Sequence, residues 1–133
     1  MSHYTTIKTK ITDMESLICA VESMGYQYKT GRNLPMYDFC GNKTAYTADL
    51  VIPRKCLASV SNDIGFSRQE DGTYRIIISD YDKVAEKVKG FPEQIRQRYA
   101  YFKVKKELHL EGNKQILEEK KHIDGSIEII VEA

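Results

Sequence analysis

The sequence predicts an α+β fold, in which a largely antiparallel sheet carries two main helices packed on it. Several short segments alternate polar and apolar residues with the two-residue period of a strand. Two Asp-Gly pairs accompany such segments, as is typical of hairpins. Two other segments carry apolar residues at helical spacing. The order of elements, β-α-β, several β, α and β-β, is compatible with a decorated ferredoxin-like arrangement.

Length and composition indicate one domain over residues 1–133 that can bury a core without metals or disulfides. The net charge is only +1, so nucleic-acid binding would require a local basic patch. The three cysteines form no C-x-x-C pair, which favours reduced thiols and a cytoplasmic location. No segment has the pattern of a transmembrane helix or a secretory signal, so no membrane partner is predicted.

The N-terminal segment predicts a strand followed directly by a helix. In the strand, four β-branched residues alternate with more polar ones: Thr5, Ile7, Thr9 and Ile11. Thr12 is the predicted N-cap, and Glu15 completes a capping box. One helical face is apolar, formed by Met14, Leu17, Ile18, Val21 and Met24. Gly25 supplies the C-terminal stop, and Cys19 is expected to be partly exposed.

The middle of the chain predicts strands separated by loops. After Gly25, "YQYKT" fits a strand and "GRNLP" a loop. A further strand ends at Pro53 and alternates through Tyr46, Ala48, Leu50 and Ile52. The run "PRKCLASVSND" has no clean period and is expected to be a loop that could hold a short turn.

Two hairpins and a long helix complete the prediction. Asp71-Gly72 joins "DIGFSRQ" to "TYRIIIS", and Asp124-Gly125 precedes "SIEIIVE", because both turn positions of such hairpins need positive φ. "SDYDKVAEKVKG" fits a shorter helix or a turn. The long helix is expected from about Pro92 to Glu111, with the proline in its first turn.

The long helix contains the basic stretch "RQRYAYFKVKK" and two apolar stripes. Ile95, Tyr99 and Phe102 form one stripe, and the opposite stripe consists of Ala100, Tyr101, Val104 and Leu108. Two stripes are typical of a helix with two neighbours, such as a sheet and a second element or subunit. The candidate contacts for a partner or for nucleic acid are Arg96, Arg98, Tyr101, Lys103, Lys105 and Lys106.

Three interpretations of this helix remain open. It can be a core helix with basic flanks, a protein interface, or a single-stranded nucleic-acid site with Tyr99 or Tyr101 as a stacking platform. Nucleic-acid helices usually collect their cations on one solvent face, whereas here the cations are split between the edges of the stripes. Stacking would also require exposed tyrosine rings, and the pattern predicts that they are buried.

Catalytic and metal-binding motifs have little support in the sequence. Phosphate-binding glycine loops and the G-x-S-x-G elbow are missing, so neither a catalytic site nor a cofactor is predicted. The histidines His3, His109 and His122 lie far apart in the chain, so no metal site is predicted. Of the three cysteines, Cys56 is the best candidate for a reactive thiol, because the basic residues Arg54 and Lys55 precede it directly. Asp80 and Asp82 could pass for a catalytic pair but are more simply helix caps.

Five phrases occur together in this order: "MSHYTTIKTKITDMESL", "TADLVI", "DIGF", "QRYAY" and "DGSIEIIVE". This set resembles the hypothetical chloroplast open reading frame thirty-five family of cyanobacteria, red-algal plastids and other bacteria, a domain of unknown function. The resemblance implies no catalytic residues. It implies a partner or adaptor role, because genes of the family can neighbour a gene for an AAA-type ATPase. Family members often carry a tryptophan before the long helix, whereas this chain has none and reads "GFPEQIRQRYAY".

The sequence therefore predicts a small non-enzymatic protein-interaction or adaptor domain. Its expected partner is a protein, with an AAA-type ATPase as one candidate, or a second copy of the chain. Binding of single-stranded nucleic acid through residues 96–106 is the alternative. The predicted location is cytoplasmic, or the plastid stroma if the source is an alga.

Overall fold

The computed structural model describes residues 3–57, 61–84, 90–110, 116–121 and 127–131. The described strands are β1 (Tyr4–Lys8), β2 (Lys29–Tyr37), β3 (Lys43–Ile52), β4 (Ile64–Arg68), β5 (Tyr74–Ser79), β6 (Ile116–Lys121) and β7 (Ile127–Val131). The described helices are α1 (Met14–Ser23), α2 (Asp80–Val84) and α3 (Phe91–Leu110). The predicted α+β class is confirmed.

Five strands form one antiparallel sheet in the order β1-β5-β4-β3-β2. After α1, the chain runs back through β2, β3, β4 and β5 as a meander until β5 pairs with β1. A ferredoxin-like arrangement would place the strand after the second helix beside β1. Here β1 lies at the edge of the sheet, and β6 pairs with β7 in a sheet of two strands. The strand order therefore differs from the predicted ferredoxin-like arrangement.

The predicted first strand and helix are confirmed, but the predicted N-cap is wrong. The N-cap of α1 is Asp13 rather than Thr12, and the Asp13 carboxylate accepts the N–H of Glu15 at 3.1 Å. Ser16, rather than Glu15, stands three residues after the cap, and its hydroxyl donates to Asp13 at 2.8 Å. Gly25 has a φ of 82° just after the helix, as expected for a C-terminal stop.

The main core lies where α1 and α3 pack on one face of the sheet. Leu17 and Val21 of α1 and Phe91 and Ile95 of α3 meet the apolar side chains of the strands. These strand residues are Leu50, Ile52, Ile64, Phe66, Tyr74, Ile76 and Ile78. Cys19 lies on the other side of α1 and is exposed, as predicted.

The opposite face of the sheet carries a second, smaller apolar cluster. Met36, Ala48, Val51 and Ile77 are buried there, and the rings of Tyr4 and Tyr46 lie beside them with centroids 5.1 Å apart. Gly65 of β4 leaves room for this cluster, because a Cβ at that position would lie 2.6 Å from Met36 Sδ and 2.8 Å from Ala48 Cβ.

The predicted loop "GRNLP" is wrong, since these residues lie within β2. Residues Lys29–Tyr37 pair with β3, but the register shifts between Thr30 and Leu34 and again between Pro35 and Tyr37. Asn33, with a φ of 49°, lies within the first irregular stretch. Leu34 and Pro35 pair with β3, whereas Gly31, Arg32 and Asn33 lie in the irregular stretch, and such irregular pairing is tolerated in a strand at the edge of a sheet.

The remaining predicted elements are found close to their expected positions. β3 ends at Ile52 before Pro53, and a short 3₁₀ turn follows at Arg54–Cys56. β4 and β5 form the predicted hairpin, but of the two turn residues Gly72 has the expected positive φ, at 87°, and Asp71 does not. The short helix and the long helix are α2 and α3. The Asp124-Gly125 turn lies outside the described residues, although the adjoining strand β7 is present.

Candidate functional site

The inner face of α3 joins the core, as its first apolar stripe predicted. Phe91, Ile95 and Tyr99 are buried, and Phe102 packs partly against the same cluster. The hydroxyl of Tyr99 accepts hydrogen bonds from the backbone N–H groups of Thr12 and Asp13, both at 3.1 Å. Tyr99 therefore fixes the chain at the start of α1, and its ring, 8% exposed, offers no face for a base to stack on.

Two of the predicted contact lysines bind the start of α1. Lys106 Nζ lies 2.9 Å from Asp13 Oδ2 and 3.1 Å from Glu15 Oε2, and Lys103 Nζ lies 3.7 Å from Asp13 Oδ2. Burial disfavours the charged form of Asp13, but hydrogen bonds from Lys106 and Ser16 outweigh it and lower the pKa of Asp13 to about 2. These lysines therefore stabilise the packing of α1 on α3.

The two arginines also have partners within the chain. Arg98 Nη1 donates to the carbonyl oxygen of Ser23 at 3.3 Å and to its hydroxyl at 3.1 Å, where α1 ends. Arg96 pairs with Glu93, one turn earlier on α3. Side chains of α3 thus contact both ends of α1, and the basic stretch is mainly occupied with intramolecular contacts.

The outer face of α3 carries the second apolar stripe and the last two predicted contacts. Lys105 Nζ lies 5.1 Å from the centre of the Tyr101 ring, and Tyr101 meets Phe102 edge to face. Ala100 and Val104 are exposed, whereas Tyr101 and Leu108 are half-buried. This stripe is therefore open to solvent along part of its length.

A groove of about 550 Å³ lies between α3 and the segment that follows β1. We call it the β1–α3 groove; its lining residues are Lys8, Thr9, Lys10, Ile11, Arg96, Tyr99 and Ala100. Ile11 and Tyr99 are buried, while Lys8 and Lys10 are exposed and Arg96 is half-buried. Among the described lining residues the charged groups are all cations, so the groove favours an acidic ligand. Of the predicted contacts, only Arg96 lies in this groove.

The segment from Thr9 to Ile11 owes its shape to three hydrogen bonds. The Thr9 hydroxyl donates to the carbonyl oxygen of Tyr74 and accepts the N–H of Ile11. The N–H of Tyr74 in turn donates to the carbonyl oxygen of Ile11 at 2.8 Å. Lys10 is held between these anchored residues, which places its side chain at the mouth of the groove.

A buried polar network links the turn after β2 to α2, and the sequence patterns did not predict it. Asn62 Oδ1 accepts the N–H of Phe39 at 2.8 Å, and the N–H of Asn62 donates to Asp82 Oδ2 at 3.0 Å. Ser79 Oγ donates to the same oxygen at 2.7 Å and accepts the N–H of Asp82. The only sequence signal for this network was the run of polar residues that flanks "DIGF".

The aspartates of "SDYD" therefore do not cap α2 as a pair. Ser79 provides the hydrogen bond to the N–H at the start of the helix, and Asp82 is fully buried. Asp80 is exposed and pairs with Lys83 at 3.1 Å and with the Thr5 hydroxyl at 2.7 Å. The two carboxylates thus belong to separate networks.

The histidines and cysteines that can be located are dispersed. His3 and His109 are exposed, and His122 lies outside the described residues. Within the described parts of the chain, no group of three histidine, cysteine or acidic side chains is placed to hold a metal ion. Cys56 is half-buried, with its sulfur 4.0 Å from Gln27 Oε1.

Comparison with known proteins identifies the family. The sequence pattern of a family described as "Protein of unknown function (DUF1257)" matches residues 20–130. This chain belongs to the DUF1257 family. A curated DUF1257 relative, "Uncharacterized protein ycf35" from Cyanophora paradoxa, is 30% identical over 133 residues, covering 99% of this chain and 97% of the relative. The resemblance predicted from the five phrases is confirmed.

No solved structure matches this DUF1257 chain. The description of the family and the name of the relative assign no activity, ligand or partner. In the described helices, no stretch is both long and apolar enough to cross a membrane.

Proposed function

We propose that this DUF1257 chain is a small non-enzymatic protein-interaction or adaptor domain that binds an acidic, extended segment of a partner protein. The observation that carries the proposal is the β1–α3 groove, where buried Ile11 and Tyr99 form an apolar floor beneath three cations. Exposed Ala100 and the alkyl stems of Lys8 and Lys10 offer apolar surface to a ligand, and the two lysine charges select an acidic partner.

The edge of the sheet supports an extended ligand. β1 is an edge strand that pairs with β5 on one side, and an edge strand has unpaired N–H and C=O groups on the other. A peptide can add to such an edge as a further strand, with alternate side chains reaching neighbouring pockets. Lys8, the last residue of β1, lines the groove, so an added segment that leaves the edge would run directly into it.

The partner class follows in part from the family resemblance. That resemblance implies an AAA-type ATPase as the partner to try first, and a second copy of the chain is the other protein candidate. The partly exposed outer stripe of α3, with Ala100 and Val104, provides a surface for either. A cytoplasmic or stromal location belongs to the same proposal.

Peptide binding measured by fluorescence anisotropy tests this function. The probe is an end-capped, labelled decapeptide in which Glu alternates with Val, and its counterpart replaces each Glu with Lys. We expect binding of the acidic probe that weakens between about 50 and about 200 mM salt, because the attraction is partly electrostatic. We also expect at least about a tenfold loss in Lys8→Glu/Lys10→Glu.

The matched control is Lys43→Glu/Arg68→Glu, which changes the same charge at exposed positions outside both cavities. Equal binding of the acidic and basic peptides, or equal losses in the two double variants, would overturn the assignment to the groove. Light scattering on the same samples separates a second copy from a foreign partner, since self-association makes the mass depend on concentration.

Single-stranded nucleic acid remains the alternative ligand, and the same assay tests it. The burial of Tyr99 and the ion pairs of Lys103 and Lys106 leave this alternative with fewer free contacts than the sequence suggested. We therefore expect no binding of labelled DNA or RNA at about 50 mM salt. Binding that falls steeply with salt and disappears in Lys103→Glu/Lys105→Glu/Lys106→Glu would replace the peptide proposal.

A further inference from the structure

A second cavity, of about 580 Å³, lies at the other side of the sheet from β1, beside the 3₁₀ turn. We call it the polar pocket. Its floor is apolar and includes Leu34, Pro35 and Val51, and its wall includes the ring of Tyr37. Its volume falls within the range typical of small-molecule sites in proteins.

Three cations line the polar pocket, and they come from two different elements. Lys29 lies on β2 opposite Val51 of β3, so the two side chains share one face of the sheet. Arg54 and Lys55 belong to the 3₁₀ turn that begins two residues after Ile52. Both lysines are exposed and Arg54 is half-buried, so solvent and ligands can reach these charges.

One carboxylate, Asp63, lines the pocket among the described residues, and both of its oxygens are occupied by the backbone. Oδ2 accepts the N–H of Tyr37 at 2.9 Å, and Oδ1 accepts the N–H of Arg54 at 2.8 Å. Asp63 thus joins β2 to the 3₁₀ turn and holds two walls of the pocket together. Because the described lining has one acidic and three basic side chains, the electrostatic potential in the pocket is positive.

Arg54 and two further residues give the pocket directional contacts. Arg54 Nη1 donates to the carbonyl oxygen of Phe39 at 3.3 Å, and within the described residues its other guanidinium N–H groups have no hydrogen-bond partner, so they can donate to a ligand. Gln27 and the Cys56 thiol also line the cavity. Arginine forks and amide groups are typical of sites that recognise carboxylates and phosphates.

We propose that the polar pocket binds a small organic anion, with its carboxylate or phosphate at Lys29, Arg54 and Lys55 and its apolar body on Leu34 and Val51. This site is separate from the β1–α3 groove and shares no lining residue with it. The domain would then hold a small ligand at one edge of its sheet and a partner at the other. The proposal does not depend on the partner-binding function.

The test uses a fluorescent probe with matching chemistry, 8-anilinonaphthalene-1-sulfonate, which joins an aromatic body to an anionic group. Phenyl phosphate and benzoate serve as competitors with different anionic heads, and benzyl alcohol is the neutral control. We expect both anions to displace the probe and the alcohol to displace it at least about tenfold less effectively, because it lacks the charge. The more effective anion identifies the preferred head group.

Variants locate the bound probe. Lys29→Ala/Lys55→Ala is expected to weaken probe binding at least about tenfold, whereas Lys43→Ala/Arg68→Ala loses the same charge at exposed positions outside both cavities and should leave binding unchanged. The proposal would be overturned if the probe bound both variants equally well, or if benzyl alcohol displaced the probe as effectively as the two anions do. A failure of this test is distinct from a failure of the peptide assay, because Lys29 and Lys55 do not line the β1–α3 groove.

Cys56 provides an independent readout inside the pocket. In Cys19→Ser/Cys40→Ser, Cys56 is the remaining thiol, and its reaction rate with monobromobimane reports access to the cavity. We expect saturating phenyl phosphate or benzoate to slow this reaction at least about threefold, because the ligand covers the sulfur. A rate unaffected by either anion would place the bound probe elsewhere and contradict the proposal.

Discussion

Lys106 Nζ lies 2.9 Å from Asp13 Oδ2, although the two residues are 93 positions apart in the chain. The same aspartate caps α1, and its own N–H and that of Thr12 donate to the Tyr99 hydroxyl of α3. The basic residues that suggested a nucleic-acid site are thus in large part the groups that hold two helices together.

Loss of the Lys106 charge should destabilise the fold modestly. Lys106→Met keeps most of the side-chain stem but removes the ion pairs with Asp13 and Glu15. We expect a small decrease in the free energy of unfolding, since the pairs are partly solvated. Urea denaturation measures it, and Lys43→Met, at an exposed position of β3, is the control. Equal losses in the two variants would contradict this role for Lys106.

The Asp13 pair also predicts how stability depends on pH. The pKa of Asp13 is lowered from 3.8 to about 2 in the folded chain, so the unfolded state takes up the proton first as the solution is acidified. Its stabilising contribution is present above about pH 4 and is lost as the pH falls towards 2. We expect Asp13→Asn, which retains an N-cap, to reduce the acid-induced loss of stability by about 1 kcal/mol. Urea titrations should therefore show a smaller difference between the free energies of unfolding at pH 5 and pH 3 in this variant than in the unaltered chain. An unchanged difference would show that other carboxylates determine the acid response.

The Tyr99 hydroxyl should contribute to stability beyond the packing of its ring. Tyr99→Phe keeps the ring but leaves the N–H groups of Thr12 and Asp13 without their acceptor. We expect a loss of about 1–2 kcal/mol, which is typical of unsatisfied, partly buried donors. Thermal unfolding provides the measurement, with Tyr81→Phe on an exposed ring as the control. If Tyr99→Phe unfolds at the temperature of the unaltered chain, water must replace the hydroxyl at no cost.

Gly65 of "DIGF" should not tolerate a side chain. The added methyl group in Gly65→Ala would overlap Met36 Sδ and Ala48 Cβ, and Ala48 is buried in β3. We expect a loss of about 1–3 kcal/mol, as for other overpacked cores. Gly31→Ala is the matched control on β2, because its nearest neighbour is the Leu34 side chain at 3.0 Å, which can move. Similar losses at the two positions would argue against a steric role for Gly65.

Local patterns in the sequence were sufficient to predict most of the elements. The face of α1 formed by Leu17 and Val21, the Asp71-Gly72 hairpin and the inner stripe of α3 all follow from periodicity and turn chemistry that act within a few residues. The α+β class follows from their order, and the five quoted phrases correctly indicated the family.

The tertiary structure decided the features that depend on residues distant in the chain. Asp13 rather than Thr12 caps α1, in a setting where Tyr99 and Lys106 meet the start of that helix. "GRNLP" lies within β2 because Leu34 and Pro35 pair with β3, which overrides the local preference of the segment for a loop. The two cavities and the Asn62–Asp82 network assemble from segments that are separated in the sequence. Periodicity describes one element at a time, whereas a site requires the distances between elements, and these are set only when the whole core packs.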